Sequence, residues 1–316
     1  MTLQFKEYML VRMNKVLIII GPTAVGKSKL AIELAKKLGG EIISADSMQV
    51  YFGMDIGTAK PSKEDLEEVP HHLINIIPPD KNWSVSDFIS NAKSIIEDII
   101  KRGKLPIVVG GTGLYLNALI EGYAFPLIEA NRDIRERLEG EAKSYGSQHL
   151  YEKLKKVDPD AAAKIHYNDL KRIIRALEVY ELTGKPISKA QSKDEESLPY
   201  EPVIVGLDMD RKKLYEKIEE RIDRMLKAGL VEEVKDLIKE GYDKKLTSMQ
   251  AIGYKEVAEH LHGKYTYDEL VNILKQNTRN FAKRQMTWFR RFKNVNWFDV
   301  EKLNTGDIIK LVKQEG

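Results

Sequence analysis

The run Val16-Leu17-Ile18-Ile19-Ile20 passes directly into Gly21-Pro22-Thr23-Ala24-Val25-Gly26-Lys27-Ser28, and then into a segment in which Leu30, Ala31, Leu34, Ala35 and Leu38 recur at intervals of three and four. Few short stretches limit a fold as tightly. Five apolar residues, four of them β-branched, read as a buried strand, and the interval of three and four reads as one face of a helix. Between them lies GxxxxGKS. Gly21 and Gly26 allow backbone angles that a Cβ would penalise, so successive N–H groups can turn inward around an anion. Lys27 reaches a terminal phosphate as a point charge, Ser28 offers a hydroxyl to Mg²⁺, and the loop opens a helix N-terminus. An ordinary glycine turn is the plain alternative, but strand and helix both stand where the phosphate-binding mechanism needs them. The spacing leaves the occupant open: ATP, GTP or any other pyrophosphate.

A second strand, Glu41-Ile42-Ile43-Ser44-Ala45-Asp46, follows the helix, which is the βαβ pattern of a parallel sheet. Ligands bind outside the carboxyl ends of such strands, so Asp46 is expected at the same edge as the loop. The stretch after it, through Ser47-Met48-Gln49-Val50-Tyr51 and Asp55-Ile56-Gly57-Thr58-Ala59-Lys60-Pro61, reads as irregular, and Pro70-His71-His72 and Pro78-Pro79-Asp80 continue as loop. Phe88, Ala92, Ile95, Ile96 and Ile99 mark an amphipathic helix. A third strand, Leu105 to Val109, ends in Gly110-Gly111-Thr112-Gly113 rather than in the aspartate that a motor ATPase would use to hold magnesium. Asp46 can take that role, as in small kinases.

From Gly122 to about Leu198 strand-like runs disappear. Helices are expected around Ile134/Leu138/Ala142, around Leu150/Leu154/Val157 and from Asp169 to Thr183, the last capped by Asn168 or Asp169 and stopped by Gly184 and Pro186. Its apolar face is Leu170, Ile173, Ile174 and Leu177, with Lys171, Arg172 and Arg175 opposite. The organisation expected is an α/β, P-loop NTPase-like parallel sheet flanked by helices, formed by residues 1–122 and 199–316, with an all-helical insertion domain at 123–198. The polar stretch Gln191 to Glu196 is its return linker. The α/β pattern resumes at Val203 to Leu207, followed by a helix with Leu214, Ile218, Ile222, Met225 and Leu226 inward and Arg221 and Arg224 on or near its polar side.

Lys+Arg 51 against Asp+Glu 48 leaves a net charge of only +3, so a nucleic-acid partner has to be argued from local clusters. One exists near the end of the chain. On a helix from about Tyr267 to Phe292, Leu270, Leu274, Phe281, Trp288 and Phe292 share an arc of about 40°. Arg279, Lys283 and Arg290 lie opposite, with Lys293 if the helix runs on. From Arg279 to Lys293 there are six basic residues and no acidic one, whereas an ordinary solvated helix face carries acids for i,i+4 pairing. The stripe reads as a contact to a phosphate backbone. The absence of cysteine excludes disulfides, thiolate zinc sites and cysteine nucleophiles. The six histidines show no HExxH or comparable ligand spacing. Met1 to Asn14 lacks the apolar core of a signal peptide, and no run approaches the ~18 apolar residues of a spanning helix, so a cytoplasmic protein is expected. A small-molecule kinase, a nucleic-acid-modifying transferase and a nucleotide-driven switch all fit these features.

The order of motifs narrows the choice. The loop 21–28, Ser44-Ala45-Asp46-Ser47-Met48-Gln49-Val50-Tyr51, Asp55 to Pro61, Pro70-His71-His72, Gly110-Gly111-Thr112-Gly113-Leu114-Tyr115, Arg172 to Val179, Ser248 to Glu256 and Thr278 to Arg290 resemble the successive motifs of the tRNA dimethylallyltransferases, from about Val16 to Asn296. Some members carry a C-terminal zinc finger; this cysteine-free chain is similar to the shorter bacterial type. The resemblance implies transfer of a dimethylallyl group from dimethylallyl diphosphate to N6 of adenosine 37, beside the anticodon of tRNA. It implies that the loop residues Gly21, Pro22, Thr23, Ala24, Val25, Gly26, Lys27 and Ser28, helped by Arg221 and by Mg²⁺ on Ser28, hold the departing diphosphate. Asp46 becomes the general base, with Thr112, Lys27 and Thr23 completing the catalytic set. Asp46, Ser47, Met48 and Gln49 are expected to hold the flipped base. Thr112 and Arg135 would contact the tRNA, Lys171, Arg172, Ile173, Ile174 and Arg175 would grip its anticodon stem-loop, and Arg279, Lys283 and Arg290 would hold further backbone. A monomer is the default expectation.

Overall fold

The computed structural model describes residues 15–124, 131–190, 192–193, 200–242 and 245–314. Strand β1 (Lys15–Ile20) is buried along its whole length and leads through the glycine loop into α1 (Lys27–Leu38), whose Leu30, Ala31, Leu34, Ala35 and Leu38 face the core. Next come β2 (Gly40–Ser44), α2 (Lys63–Glu68), β3 (His71–His72), α3 (Val85–Lys101), β4 (Leu105–Val109) and α4 (Gly113–Glu121). Capping boxes at Ser62/Asp65 and Ser84/Asp87 fix the starts of α2 and α3 by satisfying orphan donors reciprocally. His71 and His72, expected in a loop, instead pair in parallel with Ile42 and Ile43 at the sheet edge. Two residues are too short a run for periodicity to register.

The chain then forms β5 (Tyr123–Ala124), α5 (Arg132–Tyr145), α6 (Ser147–Val157), α7 (Pro159–Ala162), α8 (Leu170–Thr183), α9 (Ile187–Ala190) and β6 (Ser192–Lys193). These belong to a compact unit spanning Glu121–Ser197, with its own core of Leu138, Leu150, Leu154, Ala161, Ala162, Ile173, Ile174, Ala176 and Leu177. Among its described residues the regular elements are helices except where β5 and β6 pair antiparallel. Of the expected linker Gln191 to Glu196, Ser192 and Lys193 form β6, and the remainder lies outside the described residues. Asp169 caps α8 through the Arg172 N–H, and Gly184 ends it in the left-handed conformation at φ 69°.

The other unit, Met1–Ile120 with Leu198–Gly316, resumes with β7 (Glu201–Asp208), α10 (Arg211–Lys227), α11 (Leu230–Lys239), a short 3₁₀ turn at Ser248–Gln250, α12 (Tyr254–Leu261), α13 (Tyr267–Phe289), β8 (Val295–Asp299) and α14 (Thr305–Lys313). Its sheet is parallel throughout, in the order β3-β2-β4-β1-β7-β8. This is the α/β, P-loop-like architecture, with β1 central between β4 and β7 so that the loop leaves the middle of the sheet. α13 ends at Phe289, and Arg290 is its C-cap. Its inward seam is Leu270, Leu274, Ala282, Gln285 and Phe289, rather than the stripe of Phe281, Trp288 and Phe292 that apolarity alone selects. A polar side chain occupies the seam because both ends of its amide find partners there, as described below. Among the described residues no helix is long and apolar enough to cross a membrane.

Candidate active site

The loop between β1 and α1 adopts the conformations its glycines permit. Gly21 has φ 151° and Gly26 has φ 105°, and Ala24 is also held at φ 65°, an alternation that turns N–H groups toward one concavity. A Cβ at Gly21 would stand 2.8 Å from the Leu207 carbonyl oxygen of β7, so the loop lies against the strand end with no room for a side chain. The N-terminus of α1 has no side-chain cap and no acidic residue in its first turn. Its first N–H groups are therefore left for an anion, with the positive end of the helix dipole behind them. Lys27 Nζ donates to the Pro22 carbonyl at 2.8 Å.

Beyond β2, Asp46 closes a tight turn by accepting the Met48 N–H at 2.9 Å. The neighbouring strand β4 presses against it: a Cβ at Gly110 would meet the Ala45 carbonyl oxygen at 2.2 Å. Thr112 brackets the aspartate. Its N–H donates to Ala45 O at 3.3 Å, and its Oγ1 accepts the Ser47 N–H at 3.1 Å.

Thr23, Lys27, Ser28, Asp46, Gln49, Gly110, Gly111 and Arg221 line one cleft, joined by apolar Ala31, Ile42, Ile74, Val109 and Phe281. Arg221 comes from α10, where sequence pattern alone puts it only near a polar face. Burial pushes the Lys27 ammonium down to about 7, the Arg221 charge pushes the same way, and Asp46 opposes them. Burial likewise lowers Arg221, again opposed by Asp46. Two cations thus share a partly enclosed site in which Asp46 is the carboxylate that offsets both, and a polyanion entering there relieves their mutual repulsion. Ser47, Met48 and Thr112 are not part of the cleft wall. Gln49 is on the wall, but its amide already accepts from Ser44 Oγ at 2.8 Å and donates to Thr58 O at 3.2 Å and Ala59 O at 3.3 Å. It shapes the wall, so a base reaching it would have to share or replace those bonds.

Gln285, to which sequence pattern assigns no role, is central to the site. Buried at 5 % exposure, it accepts the Thr23 N–H at 2.8 Å and donates to the Gly111 carbonyl at 3.0 Å. The sequence carries no signal that separates it from the other polar residues of the Thr278 to Arg290 motif.

The nucleic-acid candidates divide. In the helical unit, Lys171 and Arg172 are exposed, with Arg172 paired to Asp169 at 3.3 Å. Ile173 and Ile174, expected among the RNA contacts, are 0 % and 5 % exposed in that unit's core, where they pack the helix that carries the cations. Arg135 and Arg175 are both held by Glu178, a fully buried carboxylate that accepts Arg135 Nε at 2.8 Å, Arg135 Nη2 at 2.9 Å and Arg175 Nη1 at 2.7 Å. The Arg135 pairing joins α5 to α8, a structural duty invisible to a helical wheel, whereas Arg175 meets Glu178 three residues along α8 itself. On α13, Arg279 pairs with Glu219 of α10 at 2.5 Å, so the missing acid comes from another helix, while Lys283 and Arg290 remain exposed.

The chain is similar to known proteins over nearly its whole length. The IPP transferase family model matches residues 49–292, and the isopentenyl transferase model matches residues 14–76. The tRNA dimethylallyltransferase of Thermoanaerobacter sp. (strain X514) is 52 % identical over 299 residues, covering 94 % of this chain and 95 % of the relative. That of Caldanaerobacter subterraneus subsp. tengcongensis is 51 % identical, covering 92 % and 93 %. The crystal structure of a tRNA isopentenylpyrophosphate transferase from Bacillus halodurans superposes with a TM-score of 0.69 at 47 % identity, covering 95 % of this chain and 94 % of that one. A eukaryotic dimethylallyltransferase captured acting on tRNA superposes with a TM-score of 0.75 at 33 % identity, covering 91 % and 74 %. On this likeness over nearly its whole length, the chain belongs to the tRNA dimethylallyltransferase family.

Proposed function

We propose that this chain transfers the dimethylallyl group of dimethylallyl diphosphate to N6 of adenosine 37 in the anticodon loop of tRNA. The observation that carries the reading is the sharing of one cleft by Lys27 and Ser28 at an uncapped helix start, by Arg221, and by Asp46. As the allylic C–O bond breaks, negative charge grows on the diphosphate. Donors prearranged at that position act where the charge develops, and losing one costs ~3 kcal/mol. Lys27, Arg221 and the loop amides are those donors. The exocyclic amine is a poor nucleophile that must lose a proton as its bond to carbon forms. Asp46 accepts that proton, a contribution of ~10²–10⁴ in rate. The products are the N6-prenylated adenosine and diphosphate.

Mg²⁺ fits the residues present. Mg²⁺ keeps most of its waters and binds through one or two protein oxygens plus substrate phosphates, and the Ser28 and Asp46 oxygens line the same cleft. Ser28 supplies the hydroxyl, and the bound ion would add neutralising charge to the diphosphate. The adenine must leave its stack to reach Asp46, which a single-stranded loop makes inexpensive. Lys171 and Arg172, with Lys283 and Arg290, are the cations placed for phosphate contacts. The experiment is incubation with labelled dimethylallyl diphosphate or labelled ATP, with and without unmodified tRNA. Prenyl label should move to adenosine in RNA and none should move from ATP; label transfer from ATP, or tRNA-stimulated ATP turnover at an ordinary enzymatic rate, contradicts the proposal.

A further inference from the structure

Buried primary amides are costly unless both their ends are satisfied, and the two partners of Gln285 belong to different loops. Its Oε1 holds the Thr23 N–H of the phosphate-binding loop and its Nε2 holds the Gly111 carbonyl. These loops leave β1 and β4, which are adjacent in the sheet. From Gly111 the connection continues through Thr112 to Ala45 O and the Ser47 N–H, the residues on either side of Asp46. An unbroken series of bonds therefore runs from the diphosphate side of the cleft to the carboxylate, with Gln285 as its one link from outside the sheet edge.

The packing enforces the link. A Cβ at Gly111 would stand 2.2 Å from Gln285 Nε2, and one at Gly113 would stand 3.0 Å from the Trp288 ring, one turn further along α13. The glycines of the Gly110-Gly111-Thr112-Gly113 turn are thus required by α13 as well as by the strand end. We propose that Gln285 is a positioning residue that sets the separation between the diphosphate loop and the turn carrying Thr112, which brackets Asp46. The inference rests on the prenyl-transfer reading and adds a rate determinant that touches no reacting atom. Misplacing reacting groups by about 1 Å costs about 10²-fold in rate.

The test compares Gln285→Leu, which keeps volume and loses both bonds, with Gln285→Glu, which keeps an acceptor for Thr23 but cannot donate to Gly111. Turnover with dimethylallyl diphosphate and an unmodified anticodon hairpin should fall about 10²-fold in Gln285→Leu and less in Gln285→Glu. The Kd values for inorganic diphosphate and for the hairpin should stay within about threefold, because an alignment effect acts on kcat rather than on binding. Gly111→Ala attacks the same link from the other side. Its loss should not multiply with that of Gln285→Ala, since residues acting through one contact are non-additive. If Gln285→Leu does not fold, Gln285→Glu and the Gly111→Ala/Gln285→Ala cycle decide the matter. Turnover within about threefold of the parent in the folded Gln285 variants, or fully multiplicative losses in the cycle, overturns the positioning role. Failure of the unaltered protein to transfer the prenyl group would instead overturn the reading beneath it.

Discussion

Lys27 illustrates how a single side chain is tuned by its surroundings. Burial holds its ammonium down at about 7, against an ordinary value of 10.5. Between those limits the unfolded chain carries a proton that the free folded site lacks, so this group costs stability that is recovered as pH rises. On the proposed function, diphosphate needs the charged form and restores the proton. Donor affinity should therefore weaken as pH climbs above about 7, approaching tenfold per unit, and binding at higher pH should take up a proton. Calorimetry in buffers of different ionisation enthalpy measures the uptake. Lys27→Arg, whose guanidinium stays charged, should flatten that dependence; identical pH profiles for the two proteins would contradict the lowering of Lys27 by burial. Asp46 is tested by its own removal. Asp46→Ala should lower turnover by ~10²–10⁴ with hairpin affinity nearly unchanged, whereas normal turnover with poor binding would make it a binding group instead.

At the scale of elements, buried carboxylates tie helices and strands together. Glu41, at the start of β2, binds Arg102, Lys104 and His72, and the Arg102 hydrogen bonds foremost hold its carboxyl far below the usual range. Its contribution is fully present above the ordinary carboxylate value of 4.5 and fades as pH falls below it. Glu41→Gln should cost about 1–3 kcal/mol near neutrality, towards the low end because its cationic partners are half-exposed. The gap from the parent protein should close as the medium is acidified; a gap that widens in acid would contradict the assignment. In the helical unit, Glu178 restrains Arg135 and Arg175, so α8 offers RNA chiefly Lys171 and Arg172. Replacing those two with alanine should weaken hairpin binding and reduce the slope of log Kd against log salt by about one to two. An unchanged slope would mean that α8 does not meet a phosphate backbone.

Across the whole molecule, the features legible in the sequence are those that periodicity and motif spacing encode. The strand-loop-helix at the amino end, the second and third strands and the principal helices of the insertion follow from local patterns. Two kinds of feature are not legible there. Very short elements such as His71–His72 make no periodic signal, and contacts between distant segments leave none at all: Arg279 with Glu219, Arg135 with Glu178, Thr23 with Gln285. A helical wheel therefore assigns Arg279 to solvent and Gln285 to no role, although each is engaged by a residue the wheel does not relate to it. Asp46 and Arg221 converge for the same reason in reverse, since parallel strand ends and the helix after β7 meet at the carboxyl edge of the sheet. The proposed alignment of a departing diphosphate with an acceptor amine at this edge is open to direct test. Its most direct measurement is a crystal structure with an unreactive dimethylallyl diphosphate analogue and an unmodified anticodon hairpin. Diphosphate on the amides of the Gly21–Ser28 loop, with the allylic carbon about 3–3.5 Å from the adenine N6 and that amine hydrogen-bonded to Asp46, is the result predicted. A hydrocarbon tail directed away from Asp46, with no purine between them, would contradict it.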